Sequence, residues 1–466
     1  MKNMIQQFYS MINQNFNGIS NIFSNVKDKR LQHLTIYPKE ILIFFVLSMF
    51  IFKTRTLPRL YSKIKNFTII LNNFKIFNDS YDIKKIPFYT TAKYFISKVD
   101  HIDFYHSLKK MVNILIRKKI FNKFRFLDKY FLVAIDATQQ SYTKKPNEKA
   151  IKIIHNKGTD KEYITYHYYI LSAKIVFFNG FVVPIAAEFI ENKEIYSDKL
   201  SMKQDCEIKG FYRIAKKIKK SFPRLPICIL GDGLYVNQKV FQICEENDWK
   251  YIITYKKEKA KSIYDEFKDL KKDKLISKKK VTFSIEEEKK LIKQEISYAS
   301  KLKYHKSYLD IAEVVQVETK LDKNNNEKKT EQYFMYVTNI NLTKDNIFKV
   351  INFGGRQRWK IEHSFNDEKN GGYNLEHLHS EDDNIRKTFY YLMLIAKLLN
   401  NLYELGILNK KKIKKEFGVL ENVSERMFLF FLTTKINTKK NDKINFQFEY
   451  GKKYEILEQE NFFNTS

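Results

Sequence analysis

Cysteine is scarce in this 466-residue chain: only Cys206, Cys228 and Cys244 occur, without the close pairing that zinc sites use. That scarcity excludes a disulfide-stapled scaffold and points to buried thiols in a reducing cytoplasm. Histidine does not make up the loss, since no His-x3-His spacing occurs. Membrane signals are short too. The apolar run at 41–52 falls well below the ~20 residues a bilayer requires, so it reads as a core helix. Met1-Lys2-Asn3-Met4 does not open a signal peptide, and no membrane role follows.

The clearest shortage is of acids. Against 84 Lys and Arg stand 53 Asp and Glu, a net charge of +31. A codon bias toward AT accounts for Lys over Arg but not for missing acids, so the excess implies a polyanionic partner. It is also uneven. Residues 1–130 hold 23 basic and 7 acidic side chains, a net of +16, so about a quarter of the chain carries half the charge.

Some of the acids that remain stand where chemistry can use them. In Arg358-Trp359-Lys360-Ile361-Glu362-His363-Ser364-Phe365-Asn366-Asp367-Glu368-Lys369, the residues Arg358, Glu362 and Lys369 are spaced by four and seven. On a helix they project within an arc of roughly 40°, a carboxylate between two cations. Asn370-Gly371-Gly372 then ends that helix. Two short apolar runs, 131–135 and 225–230, read as buried strands that stop at Asp136 and Asp232. Acids at the carboxyl edge of an α/β sheet lie where such sheets place ligands. Convergent carboxylates suit hard cations such as Mg²⁺ or Mn²⁺. Taken singly, an Asp at a strand end is usually a turn or cap residue, and an Arg/Glu/Lys face is usually a solvated ladder. The coincidence of all three acids in order favours a metal site.

That order, Asp136, Asp232, Glu362 with Arg358 and Lys369 beside the Glu, resembles the DDE-type transposases of bacterial insertion sequences. The resemblance is to the group marked by Tyr-x2-Arg-x3-Glu-x6-Lys, with Gly355 standing at the Tyr position. It extends through Ile-Leu-Gly-Asp-Gly-Leu-Tyr-Val-Asn (229–237), Pro184-Ile185-Ala186-Ala187-Glu188-Phe189-Ile190 and Asn370-Gly-Gly-Tyr-Asn-Leu-Glu-His377, roughly over residues 30–405. It implies an α/β, RNase H-like (retroviral integrase-like) catalytic domain with a β-rich insertion and a basic, helical N-terminal region. It also implies Asp136, Asp232 and Glu362 as catalytic metal ligands for two Mg²⁺ or Mn²⁺ ions. Arg358 and Lys369 would hold phosphates. Double-stranded DNA, both transposon ends and target, would be the partner of a homodimer in the bacterial cytoplasm.

The sequence divides accordingly. Residues 1–125 read as a helical, basic DNA-binding region, with helices at 58–73, 90–98 and 101–121. Residues 126–255 form the first part of the catalytic core, with strands at 131–135, 163–178, 180–190, 225–230 and 249–255 and helices at 205–220 and 237–247. A β-rich insertion follows at 256–345, opening with a lysine-rich stretch to 280 and turning at a polar hairpin tip, 320–330. Residues 346–408 carry the Glu helix and an apolar packing helix, 385–405, and 409–466 form a C-terminal tail. Trp359 reads as core or as a base-stacking platform. His363 and His377 read as structural or phosphate-contacting, and Glu188 and Asp205 as peripheral acids. A DNA-binding protein derived from a transposase, or an RNase H-like nuclease, are the competing functions. Only the first would dispense with the three acids.

Overall fold

A computed structural model describes residues 3–75, 84–192, 205–258, 260–321, 327–440, 442–449 and 453–462. Ahead of the first strand lie α1 (Met4–Phe16), α2 (Ile19–Ile22), α3 (Lys39–Ile51), α4 (Leu57–Ile64), α5 (Thr68–Lys75), α6 (Tyr89–Ser97) and α7 (His101–Arg117). Helix α3 is apolar all round and buried along Ile41–Ile51, which makes it a core helix, as its composition predicts. The single helix expected at 58–73 is two. Thr56 caps α4 by accepting from Arg59 N at 3.4 Å, and the helix stops before Asn66, a poor helix-interior residue.

The sheet begins with β1 (Phe131–Thr143), β2 (Ile151–His155), β3 (Tyr163–Val176) and β4 (Val182–Ile190). Helix α8 (Glu207–Ser221), β5 (Ile227–Gly231), α9 (Gln238–Glu246) and β6 (Lys250–Thr254) follow. Strand β1 runs antiparallel to β3 and parallel to β5, and β5 runs parallel to β6. Strands β2 and β4 share the far edge of β3.

The segment after β6 extends this sheet. Helix α10 (Lys261–Lys272) lies in the lysine-rich stretch, where Ile263, Tyr264, Phe267 and Leu270 form a stripe packed on the core. Strands β7 (Ser277–Ile285), β8 (Lys290–Tyr304), β9 (Ser307–Leu321) and β10 (Glu327–Thr338) are antiparallel neighbours. Strand β10 pairs with β6, so with the C-terminal strand β11 (Tyr454–Phe462) the order runs β11-β7-β8-β9-β10-β6-β5-β1-β3-β2. The centre of the expected hairpin tip, 322–326, lies outside the described residues.

Next come α11 (Ile347–Lys349), a π turn and a 3-10 turn through 350–358, α12 (Trp359–Asn370) and α13 (Asp383–Tyr403). By length and composition, Asp383–Leu408 could cross a membrane, but 83% of its apolar window is buried inside the protein, where it packs on α3 and α7. The C-terminal residues carry α14 (Lys410–Glu416), α15 (Leu420–Thr433) and β11 (Tyr454–Phe462), which pairs with β7. Between α15 and β11 the chain crosses α1. Gln6 Nε2 donates to the carbonyls of Asn437 and Lys440 at 3.0 and 2.8 Å, and Asn437 N donates back to Gln6 Oε1 at 2.8 Å.

Two large apolar cores flank the sheet among the described residues, beside a small cluster of Val281, Phe283, Ile285, Ile292 and Phe348. One joins the N-terminal helices, α13 and α8 to the face that carries Val133 and Ile135. The other lies under α12, where Ile361 and Phe365 meet Leu132, Ala134, Cys228 and Leu230. Alternation along β1 therefore puts Asp136 on the α12 side, two residues past Ala134.

Candidate active site

Strands β1 and β5 are level: Leu132 pairs with Cys228, and Ala134 with Leu230. Asp136 lies two residues past Ala134 on β1, and Asp232 two residues past Leu230, just beyond the end of β5, so the two acids follow from level positions on neighbouring strands. The sequence suggested that β1 stops at Asp136. Instead it continues to Thr143, paired with β3 through Asp136 opposite Ser172, and only its parallel neighbour stops. Polar residues continue β1 past Asp136, and Thr138, Gln140 and Ser141 among them are buried, so the apolar run marked only the first part of the strand and not its end. Asp136 therefore borders the gap that opens where β5 turns away. Asp232 makes that turn, accepting from Leu234 N at 2.9 Å. The turn is tight, because a Cβ on Gly231 would come within 2.8 Å of the Tyr235 ring.

Helix α12 brings in the third acid. Arg358 Nη1 is 2.7 Å from Glu362 Oε1 and 3.9 Å from Asp136 Oδ2, so one guanidinium faces both carboxylates. Arg358 is only 8% exposed, lies 4.7 Å over the Trp359 ring and has a buried Nε without a hydrogen-bond partner. Burial pushes the Asp136 carboxyl up to about 6; Arg358 and the Ala137 N–H pull it down, while Glu362 and Asp232 push it further up. Lys369, on the same helix, pairs with Glu376 at 2.8 Å.

A fourth acid stands here that no sequence motif marks. Glu207, in the first turn of α8, accepts from the Tyr235 hydroxyl at 2.6 Å. Burial raises its carboxyl to about 7; the Tyr235 bond opposes this, and Asp136 and Asp232 add to the rise. No spacing links Glu207 to the other acids, so only the fold reveals it. Glu188 and Asp205 are held elsewhere, by Arg213 at 2.6 Å each. Trp359 is not a core residue: it is 52% exposed and lines a groove of about 860 Å³ between α12 and the β7–β10 strands. His363, Tyr333, Arg356 and Lys256 line the same groove.

Residues 191–399, a little under half of the chain, match the transposase DDE domain family. The chain carries a DDE-type transposase domain. The match includes Asp232, Arg358, Glu362 and Lys369, while Asp136 lies ahead of it in sequence and beside it in space. No curated protein matches the chain.

The side chains gathered here, Asp136, Glu362 and Glu207 with Asp232 beside them, are a donor set that would fit a hard divalent cation. They are carboxylates alone, and burial together with neighbouring negative charge raises two of them, a cost that a bound cation would relieve. Among the described residues no three Asp, Glu, His or Cys side chains form a ready cage. Arg358 stands between Asp136 and Glu362, and must swing aside before both can share an ion.

Proposed function

We propose that this protein is an insertion-sequence transposase that binds the terminal inverted repeats of its element as duplex DNA, cuts there and joins the ends to a target. The reading rests on one observation: Arg358 touches both Asp136 and Glu362, while Asp136 also feels the charge of Asp232. The strand order β4-β3-β1-β5-β6, with three antiparallel then two parallel strands, supports an RNase H-like core.

Asp136, Asp232 and Glu362 would hold one or two Mg²⁺ or Mn²⁺ ions, which when bound activate the attacking oxygen and stabilise the leaving one. Arg358, released from Glu362, reaches a non-bridging phosphate oxygen with its planar fork. Lys369, a point charge on the same helical face about two turns beyond Glu362, would hold another phosphate further along the backbone. A homodimer on DNA, in the cytoplasm, belongs to this reading, because two ends must be handled together. The alternative of a DNA-binding derivative without catalysis leaves the charge-strained acids unexplained.

The test is cleavage of a fragment carrying the DNA that flanks the gene. Full-length protein should cut it only with Mg²⁺ or Mn²⁺. Asp136→Asn, Asp232→Asn and Glu362→Gln should each bind the fragment and leave it intact. Wild-type cutting by all three variants would overturn the assignment.

A further inference from the structure

Glu368, six residues beyond Glu362, is completely buried. Its Oε1 lies 2.5 Å from Lys174 Nζ on β3 and 3.1 Å from Lys397 Nζ on α13. Both ammonium groups also donate to the Ser364 hydroxyl at 3.0 Å, and Lys397 donates to the Ser364 carbonyl at 2.7 Å and pairs with Asp367 at 2.9 Å. Lys174 sits 4.2 Å over the Phe365 ring. Every group in this network except Asp367 is at least nine-tenths buried.

A buried ion pair is a poor source of net stability, since well-packed apolar residues in its place are often neutral or stabilising. What it supplies is direction. Ile361 and Phe365 press α12 onto the sheet, but apolar contact is non-directional and tolerates rotation or sliding of the helix. The ion network does not. Lys174 is the cross-strand partner of Ala134, two residues before Asp136, and Ser364 is two residues after Glu362. The network thus ties the strand beside one acid to the helix that carries another, and Lys397 fixes that helix to α13.

We propose that Lys174, Glu368 and Lys397 are positioning residues that set the rotation and axial position of α12, and thereby where Glu362 stands relative to Asp136 and Asp232. This inference rests on the metal-site reading above.

The experiment measures Mn²⁺ affinity by titration calorimetry, the thermal midpoint and turnover on end DNA, all with the full-length protein. The charge-free variant K174M/E368L/K397M should keep or raise the midpoint. It should bind Mn²⁺ about 10–100-fold more weakly and turn over about 100-fold more slowly. Because it removes one net positive charge, its electrostatic effect alone would strengthen cation binding, so weaker binding reports position. E368D, which keeps the charge one methylene short, guards against a variant that fails to fold. It should weaken Mn²⁺ binding several-fold at temperatures far below its midpoint. Wild-type affinity and turnover in either folded variant would overturn the proposal and leave the network a packing feature. Wild-type protein that bound Mn²⁺ no better than D136N would instead sink the site reading, and the clamp with it.

Discussion

Arg358 Nη1 stands 2.7 Å from the Glu362 carboxylate, one helical turn away, with Asp136 3.9 Å from the same nitrogen. The two acids are thus held together by a cation belonging to the protein. The compensation is partial. Asp136 still sits at about 6, because burial and the charges of Glu362 and Asp232 outweigh Arg358.

A stability prediction follows from that value. The folded-state value for Asp136, about 6, lies above its ordinary 3.8, so between those pH values the folded protein binds more protons than the unfolded chain. Stability is therefore lost as pH rises from about 4 to 6, and the loss is complete near 7. D136N removes the cost. In metal-free buffer at pH 7.5 it should be more stable than wild type by about 1–3 kcal/mol, although inactive, and the difference should vanish below pH 4. Urea melts at both pH values check this, and a D136N variant weaker than wild type at pH 7.5 would count against it.

Gly355 occupies the position where the resembled group carries Tyr. A Cβ there would come within 2.6 Å of the Tyr336 ring, which is itself buried on β10. The space is already filled by an aromatic residue from another element. G355A should cost about 1–3 kcal/mol through overpacking, and G355Y more. Y336A should offset part of the G355Y loss, a coupling that a double-mutant cycle of thermal melts would measure. A neutral G355A would show that Tyr336 can move aside.

The basic N-terminal region should supply salt-sensitive grip on duplex DNA. Deleting it is a poor test, because α3 and α7 share a core with α13. Arg55, Arg59 and Lys63 offer a cleaner one, being exposed along one side of α4 and its entry. If each contacts a phosphate, R55Q/R59Q/K63Q should flatten the slope of log K against log salt by up to about 2.7, at 0.9 per contact. Affinities at four salt concentrations suffice, and an unchanged slope would mean these cations face only solvent.

Much of the site was legible in sequence because its acids mark local punctuation. Asp232 follows a five-residue buried strand at a glycine turn, and Arg358 and Glu362 keep helical spacing. Glu207 was not legible: it reaches the site only through the packing of α8 and the bond from Tyr235. The same limit applies to Glu368, whose partners lie 194 and 29 residues away. Helix α10 has a helical stripe, Ile263, Tyr264, Phe267 and Leu270, set in a low-complexity run of lysines that hides it. The C-terminal strand was hidden because its polar sequence gains meaning only against β7.

The crossing of α1 by the C-terminal segment bears on how the chain comes into being. Gln6 and Asn437 bond each other although they lie 431 positions apart in sequence. At about 5–20 residues per second, a ribosome would hold α1 for roughly 20–90 s before its partner emerges. Through that interval Gln6 and Gln14 lack their later contacts, and the N-terminal helices also wait for α13. A product truncated before residue 437 would carry every acid of the site yet lack the segment that closes over its first helix.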